Sequence, residues 1–199
     1  VDIDKKKNSI VEQKLMKNYA KKILVLTLDI SDPKNVKKLV NLTIKKFGKI
    51  DVLINNAHTL PRKHPKYSSS VEEFPDDVWE IMVSDTLRSL FLCTKEVCKI
   101  MSKQNHGNII NISSIYGLVG PDQRIYGESK LNSPISYSVT KGGLVNMTRY
   151  LAAYFHRKNI RVNTLTLGGV YDKKLHNAKF VKNYSSKTIL DRMGSKEDF

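Results

Sequence analysis

Short apolar runs alternate with helix-patterned stretches along almost the whole chain, and that alternation narrows the possible folds more than any other feature. The runs are 23–30 (ILVLTLDI), 51–56 (DVLINN), 108–115 (NIINISSI) and 160–167 (IRVNTLTL), and 1–4 reads as the end of another strand. Between them the apolar residues recur at helical spacing. Ile10, Val11, Leu15, Met16 and Tyr19 make one stripe; Val36, Leu39, Val40, Ile44 and Phe47 make a second. Ser31-Asp32-Pro33 starts the second helix and Gly48 stops it. A long helix is predicted over 76–103, carrying Trp79, Met82, Leu87, Leu90, Val97 and Met101, and another over 137–155. Strands that are apolar throughout belong in a sheet covered on both faces, and strands separated by helices run parallel. The expected fold class is α/β, a doubly wound parallel sheet in a single domain over 1–199. No repeat, low-complexity tract or linker divides it.

Composition supports a packed core. Of the 199 residues 40% are hydrophobic and 27% charged, which excludes a disordered chain, a collagen and a disulfide mini-scaffold. No run of about 18 apolar residues is present, and the chain does not open on a charged-then-apolar leader, so no membrane association is expected. The 34 Lys and Arg against 19 Asp and Glu leave a net charge of +15. A nucleic-acid partner is one reading of that excess. The basic residues, however, are mostly Lys in scattered pairs (Lys21-Lys22, Lys37-Lys38, Lys45-Lys46, Lys173-Lys174), with no aromatic-interleaved block, which favours solvated helix faces and no nucleic acid. The charge can still help bind an anionic small molecule. Cys93 and Cys98 stand five apart, on different faces of their helix, so neither a bridge nor a metal site is expected and the expected compartment is the reducing cytoplasm.

In open parallel sheets ligands bind at the carboxyl ends of the strands. There the sequence puts Asp29-Ile30, Asn55-Asn56-Ala57-His58, Ser113-Ser114 and Gly168-Gly169-Val170. The most specific local signal is Tyr137-Ser-Val-Thr-Lys141 at a helix start. Residues i and i+4 share a helix face, so the phenol and the ammonium point the same way. A free phenol titrates near pH 10; a neighbouring cation favours the phenolate, and a shift of about three units corresponds to about 4 kcal/mol. A phenol tuned in this way exchanges a proton with an alcohol oxygen at neutral pH, and a serine hydroxyl at a strand tip, such as Ser114, can hydrogen-bond the same oxygen. A bare Tyr-x-x-x-Lys is common on helices by chance; its meaning depends on the other pieces.

Those pieces occur in order. Leu28-Asp-Ile30, Asp51-Val-Leu-Ile-Asn-Asn-Ala57, Gly107-Asn-Ile-Ile-Asn-Ile-Ser-Ser114, Tyr137-x-x-x-Lys141 and Ile160-Arg-Val-Asn163 leading to Gly168-Gly-Val170 make the chain resemble the short-chain dehydrogenase/reductase family over nearly its whole length. The resemblance implies a Rossmann-like, dinucleotide-binding oxidoreductase domain whose first βα unit, with its Gly-rich turn, and last strand are missing from the sequence. It implies that Tyr137 is the catalytic acid/base, that Lys141 tunes it and holds the nicotinamide ribose, and that Ser114 orients the substrate carbonyl. Cofactor contacts are implied for Asp2, Asp29, Ile30, Asn56, Ala57, Gly168 and Val170, as well as Tyr137 and Lys141. Asp2 matches the carboxylate that binds the adenosine ribose in NAD-using relatives and repels a 2′-phosphate, so NAD is expected, with NADP not excluded. Three residues depart from the family pattern. Thr86 stands where the catalytic asparagine is expected, His58 replaces the Gly of Asn-Asn-Ala-Gly, and Leu167 replaces a Pro.

The segment between Ser114 and Tyr137 is long, and its two ends are tied to implied catalytic residues. Arg124, Tyr126 and Lys130 are its candidates for recognising a carboxylate or phosphate; a solvated loop is the plain alternative. The segment resembles that of relatives serving surface-sugar or flagellin-glycan synthesis, which implies a sugar or nucleotide-sugar substrate. The 137–155 helix is apolar nearly all round, so its outer face needs a cover. The resemblance implies a homo-oligomer paired through the helices around 76–103 and 137–155. The expectation is an enzyme that moves a hydride between nicotinamide and a carbonyl/alcohol carbon. The alternative is a relative that keeps the fold and has lost turnover.

Overall fold

Three parallel strands in the order β1-β2-β3 carry the site: β1 (Val52–Asn55), β2 (Gly107–Ser114) and β3 (Ile160–Leu167). In this computed structural model residues 1–19, 22–129 and 131–198 are described. All three strands fall where the apolar runs predict. Leu53 pairs with Ile109, and Ile109 with Val162.

The helices follow the sequence signals closely. In α2 (Pro33–Phe47) the Asp32 carboxylate accepts from the Lys34 N–H at 2.8 Å, Pro33 occupies the first turn, and Gly48 closes the helix at φ 79° by donating its N–H to Ile44 O. That left-handed conformation is one only glycine adopts without strain. The long helix runs as α3 (Asp76–Trp79), a π-helical turn (Glu80–Asp85) and α4 (Thr86–Gln104). After it come α5 (Ile135–Tyr154) and the short α6 (Ala178–Ser185), which lies in the stretch where the sequence shows only weak patterning.

One face of the sheet packs against α2, α4 and α5, and the core is Val40, Val97, Met101, Ile109, Phe155 and Val162. Inside this packing runs a chain of polar side chains that fixes register. The Asn55 amide donates to Thr94 Oγ1 (2.9 Å) and Asn111 Oδ1 (2.8 Å). The Asn111 amide donates to Thr148 Oγ1 (2.7 Å), and Thr164 Oγ1 donates to the same oxygen (2.7 Å). Each buried polar atom thereby finds a partner across a strand or helix boundary, and a one-residue slip would orphan several at once.

Two expectations fail. The run 23–30 does not join the sheet. Thr27 makes one isolated parallel bridge to Asp2, with the Asp2 N–H on Leu26 O (3.3 Å) and the Leu28 N–H on Asp2 O (3.1 Å). Apolar β-branched composition favours extended backbone, but a strand exists only where a neighbour takes its hydrogen bonds, and among the described residues only this short stretch does so. Helix α1 (Lys5–Tyr19) forms, yet its stripe is not buried: Ile10, Val11, Met16 and Tyr19 are 47–65% exposed. A polar clamp anchors it. The Asn8 amide nitrogen lies within 3.1 Å of Asp2 O, Leu26 O and Thr27 Oγ1 and shares its two protons among these three acceptors. On the face of the sheet away from α2, α4 and α5, Val52, Ile54 and Leu165 are exposed.

Candidate active site

The strand-tip serines divide their work. Ser113 Oγ donates to Lys141 O at 2.8 Å and ties the end of β2 to the first turns of α5. Ser114, buried, turns its hydroxyl toward a small cavity of about 130 Å3 that Tyr137 also lines; its Oγ accepts from the Tyr116 N–H at 3.2 Å. The approach of β2 to α5 depends on Gly117. A Cβ there would sit 2.7 Å from the Lys141 carbonyl and 2.8 Å from Ser113 Oγ, which no side chain tolerates.

Helix α5 presents Tyr137 and Lys141 on one face, as the i, i+4 spacing requires. The Lys141 ammonium lies 5.7 Å from the centre of the Tyr137 ring and donates to Ile112 O at 2.9 Å. Burial lowers the lysine pKa to about 8. Thr140, between them in sequence, has its Oγ1 2.8 Å from Met82 O and 2.7 Å from Ser136 O and shares its one proton between these two acceptors, which fastens α5 to the π-helical turn. Such turns leave carbonyls free for outside donors. Thr86 opens α4 directly after that turn. It is 3% exposed and its Oγ1 has no hydrogen-bond partner.

The other implied cofactor residues sit at strand ends. Asn56 and Ala57 are exposed just past β1. The Asp2 carboxylate is exposed and accepts from the Asp4 N–H at 2.9 Å. The Asp29 carboxylate accepts from the Ser31 N–H and Oγ, which hold it below the usual carboxylate range; Ile30 beside it is half-buried. Gly168 follows β3, and Val170 bridges to Gly194. Between them the Gly169 N–H donates to Tyr184 Oη at 2.6 Å, and a Cβ at Gly169 would fall 2.8 Å from the Tyr184 ring.

A nicotinamide dinucleotide fits this arrangement. Lys141 spends one of its three donor protons on Ile112 O and keeps two. The Thr86 hydroxyl and both nitrogens of His58 are buried without partners, which a native structure rarely tolerates unless a bound group or water completes them.

A cavity of about 630 Å3 opens beside Tyr137, within the size range of small-molecule sites. Of the three residues expected to recognise substrate, Tyr126 lines it and rests on Phe180 of α6, ring centres 5.4 Å apart. Arg124 does not line it. Its guanidinium is held by Asp122, two residues away, at 2.8 Å through both Nε and Nη2, and its side chain is 82% exposed. The local carboxylate captures it before it can reach a ligand. Lys130 lies outside the described residues.

Three contributors escaped the sequence reading. His58, noted only as a departure, packs edge-on against Tyr137 with ring centres 5.6 Å apart. Burial, then the charges of Lys141 and Arg62, lower its pKa to about 4, so it is neutral at physiological pH. Arg62 and Tyr67 line the cavity from the loop after β1; burial raises the Tyr67 pKa and the nearby guanidinium opposes the rise. Helix α6 supplies Phe180 and Lys179, and Asn177, whose side chain caps the helix by accepting from the Phe180 N–H, is also in the wall. The signals available for α6 were Asn177 as a cap and the spacing of Phe180, Val181 and Tyr184. Among the described residues no cluster of three His, Cys, Asp or Glu side chains could hold a metal, and Cys93 and Cys98 are buried free thiols.

The parallel α/β sheet thus brings Tyr137 and Ser114 onto one cavity at its carboxyl edge, with Lys141 beside the tyrosine. The chain belongs to the short-chain dehydrogenase family, whose model matches residues 1–180. It is 31% identical, over 195 residues, to the post-translational flagellin modification protein A of Campylobacter coli, covering 96% of this chain and 74% of that protein. It spans about half the length of the levodione reductase of Leifsonia aquatica, to which it is 30% identical. A short-chain dehydrogenase from Leptospira borgpetersenii solved with bound NAD+ superposes with TM-score 0.76 at 31% identity, covering 87% of this chain and 63% of that one. ElxO with NADP bound gives 0.79 at 26%, covering 96% and 73%.

Proposed function

We propose that this protein transfers a hydride between a nicotinamide cofactor and a carbonyl/alcohol carbon, with Tyr137 as the proton donor and acceptor. The observation that carries the reading is that Tyr137 of α5 and Ser114 at the tip of β2 line one cavity, with the Lys141 ammonium 5.7 Å from the Tyr137 ring. The bound cofactor would supply or accept the hydride; the chain does the rest. In reduction the Tyr137 O–H donates its proton to the carbonyl oxygen as the carbon is reduced, while the Ser114 hydroxyl donates a hydrogen bond to that oxygen. In oxidation the proton returns to the phenolate. The Lys141 cation favours the phenolate and offers its free donors to ribose hydroxyls. Asn56, Ala57 and Val170 would lie along the cofactor. The exposed Asp2 carboxylate supports NAD over NADP through repulsion of a 2′-phosphate. Sugars and nucleotide sugars are the proposed substrates, in keeping with the similarity to the flagellin modification protein. Among the described residues no helix is long and apolar enough to cross a membrane, and two free buried thiols suit a reducing cytoplasm.

One observation favours a second reading, a relative that binds without turning over: Thr86, where the family pattern has asparagine. Titration of the protein with NADH and NADPH, followed by nicotinamide fluorescence, is expected to show saturable binding with NADH the tighter. Absence of binding would remove the oxidoreductase reading; tight binding with no oxidation of the cofactor by any carbonyl compound would favour the second.

A homo-oligomer through α4 and α5 is part of the proposal. Phe91 on α4 is 52% exposed, and Tyr150 and Tyr154 on α5 are 67% and 64% exposed, stacked 6.1 Å apart. A stripe of aromatic rings on neighbouring helices matches the composition of interface cores. Tyr150→Glu is expected to reduce the sedimenting mass to that of a monomer of 22.7 kDa. A wild-type chain that already sediments as a monomer defeats this part.

A further inference from the structure

The cavity beside Tyr137 is electropositive in a way its catalytic residues do not require. Arg62 and Lys179 line it, and the one carboxylate among its described lining residues is Glu128. Glu128 stands 3.6 Å from Lys179, and both side chains are well exposed, at 96% and 65%, so this pair is weak and partly accounts for the lysine. Arg62 has no carboxylate partner among the described residues. Arg62 lines the same cavity as Tyr67, Tyr137 and His176, so it shares that space with a molecule whose reacting carbon is at Tyr137. The facing wall is aromatic: Tyr126 on Phe180, and His176 stacked on Phe180 with ring centres 5.0 Å apart. Asn132 and Asn177 add amides that can both donate and accept.

We propose that this cavity takes a hydroxylated substrate bearing a carboxylate or a phosphate, and that Arg62 is the residue that holds the anion. A guanidinium presents a planar fork of donors that matches either oxyanion with two parallel hydrogen bonds. Amides and aromatic faces suit the hydroxyls and the apolar face of a sugar-sized ring. The contrast with Arg124 sharpens the assignment, since that arginine has the same chemistry but is already committed to Asp122 outside the cavity. The inference rests on the reading of this cavity as the substrate site, yet its test reads binding and not turnover, so the two fail separately.

The probes are glucuronate, glucose 6-phosphate and glucose, titrated into the protein by isothermal calorimetry or ligand-observed NMR. At least one of the anions is expected to bind tenfold or more tightly than glucose, and which anion it is separates a carboxylate from a phosphate substrate. Arg62→Gln is expected to erase that preference, Arg62→Lys to restore part of it, Lys179→Gln to cause a smaller loss, and Arg124→Gln to change nothing. Glucose binding as tightly as both anions, no binding of either anion, or equal losses in Arg62→Gln and Arg124→Gln would overturn the proposal; the last would mark a general effect of the chain's positive charge. Failure of the oxidoreductase reading would show instead as unimpaired turnover in Tyr137→Phe, which leaves this charge arrangement untouched.

Discussion

Replacing Tyr137 with Phe is expected to lower kcat by about 10^3-fold while leaving cofactor affinity within a factor of about two, because general acid–base groups contribute about 10^2- to 10^4-fold and the substitution removes one oxygen. The ring keeps its surroundings. His58 still packs on its face, and the Lys141 ammonium still lies beside it, so neither α5 nor the cavity has reason to move. What disappears is the group that, on the proposed mechanism, would supply a proton to the carbonyl oxygen as hydride arrives at carbon. The loss should therefore fall on kcat and on kcat/KM alike, the signature of an interaction made in the transition state. Steady-state kinetics with a carbonyl substrate and cofactor titration by fluorescence together check it. Turnover within tenfold of wild type would remove Tyr137 from the chemistry.

Lys141 gives the second large effect, and it is visible in pH. Its ammonium is buried and its pKa is lowered to about 8, so the cation is present below that pH and is lost as pH rises through it. A dinucleotide is anionic, and its ribose hydroxyls would accept from the ammonium. Cofactor affinity of the wild-type protein is thus expected to hold steady from pH 6.5 to about 7.5 and to weaken above about 8. Lys141→Met should bind at least about tenfold more weakly at pH 7, a charge-assisted hydrogen bond being worth about 1.5–3 kcal/mol, and its affinity should be flat across the same window. Because Met also leaves Ile112 O without its donor, Lys141→Gln serves as the control that restores a hydrogen bond without the charge. The same titration acts on stability. An unfolded lysine keeps its proton to about pH 10.4, whereas the folded one sheds it near 8. Between those values the folded chain binds fewer protons, so the contribution of Lys141 to stability rises with pH there and is least favourable below about 8. An identical pH dependence of cofactor affinity in wild type and Lys141→Met would refute the assignment.

These effects were legible early because the Tyr137–Lys141 pair is a local feature. Four residues along a helix fix the relative direction of two side chains whatever the helix packs against. The strand tips were legible for a similar reason: apolar runs end where the chain must turn, and the sheet gathers those ends on one edge. Beyond Tyr126, the cavity wall was not legible. Arg62 and Phe180 lie more than fifty residues to either side of Tyr126, and only packing brings them to it.

Arg124 shows the opposite case. Its loop connects Ser114 to Tyr137, but proximity in the chain does not aim a side chain, and Asp122 at two residues' distance offers a partner at no cost in ordering a ligand. The Asp-x-Arg spacing was in the sequence and, weighed as a local ion pair, argued for this outcome. Residues 23–30 show the limit of composition. Eight residues, four of them β-branched, make only a bridge at Thr27, because a strand's hydrogen bonds belong to its neighbour and not to itself.

The sequence by itself determined what local geometry controls: the order of elements, the helix caps at Asp32 and Gly48, and the common face of Tyr137 and Lys141; the ordered set of motifs added the resemblance to a family. Tertiary structure alone decided which cation faces the cavity, that Ser113 braces α5 while Ser114 remains available, and that α6 closes the wall. Those choices depend on competition between partners distant in the chain, where a side chain takes the nearest group that satisfies it, and nearness in space is set by packing.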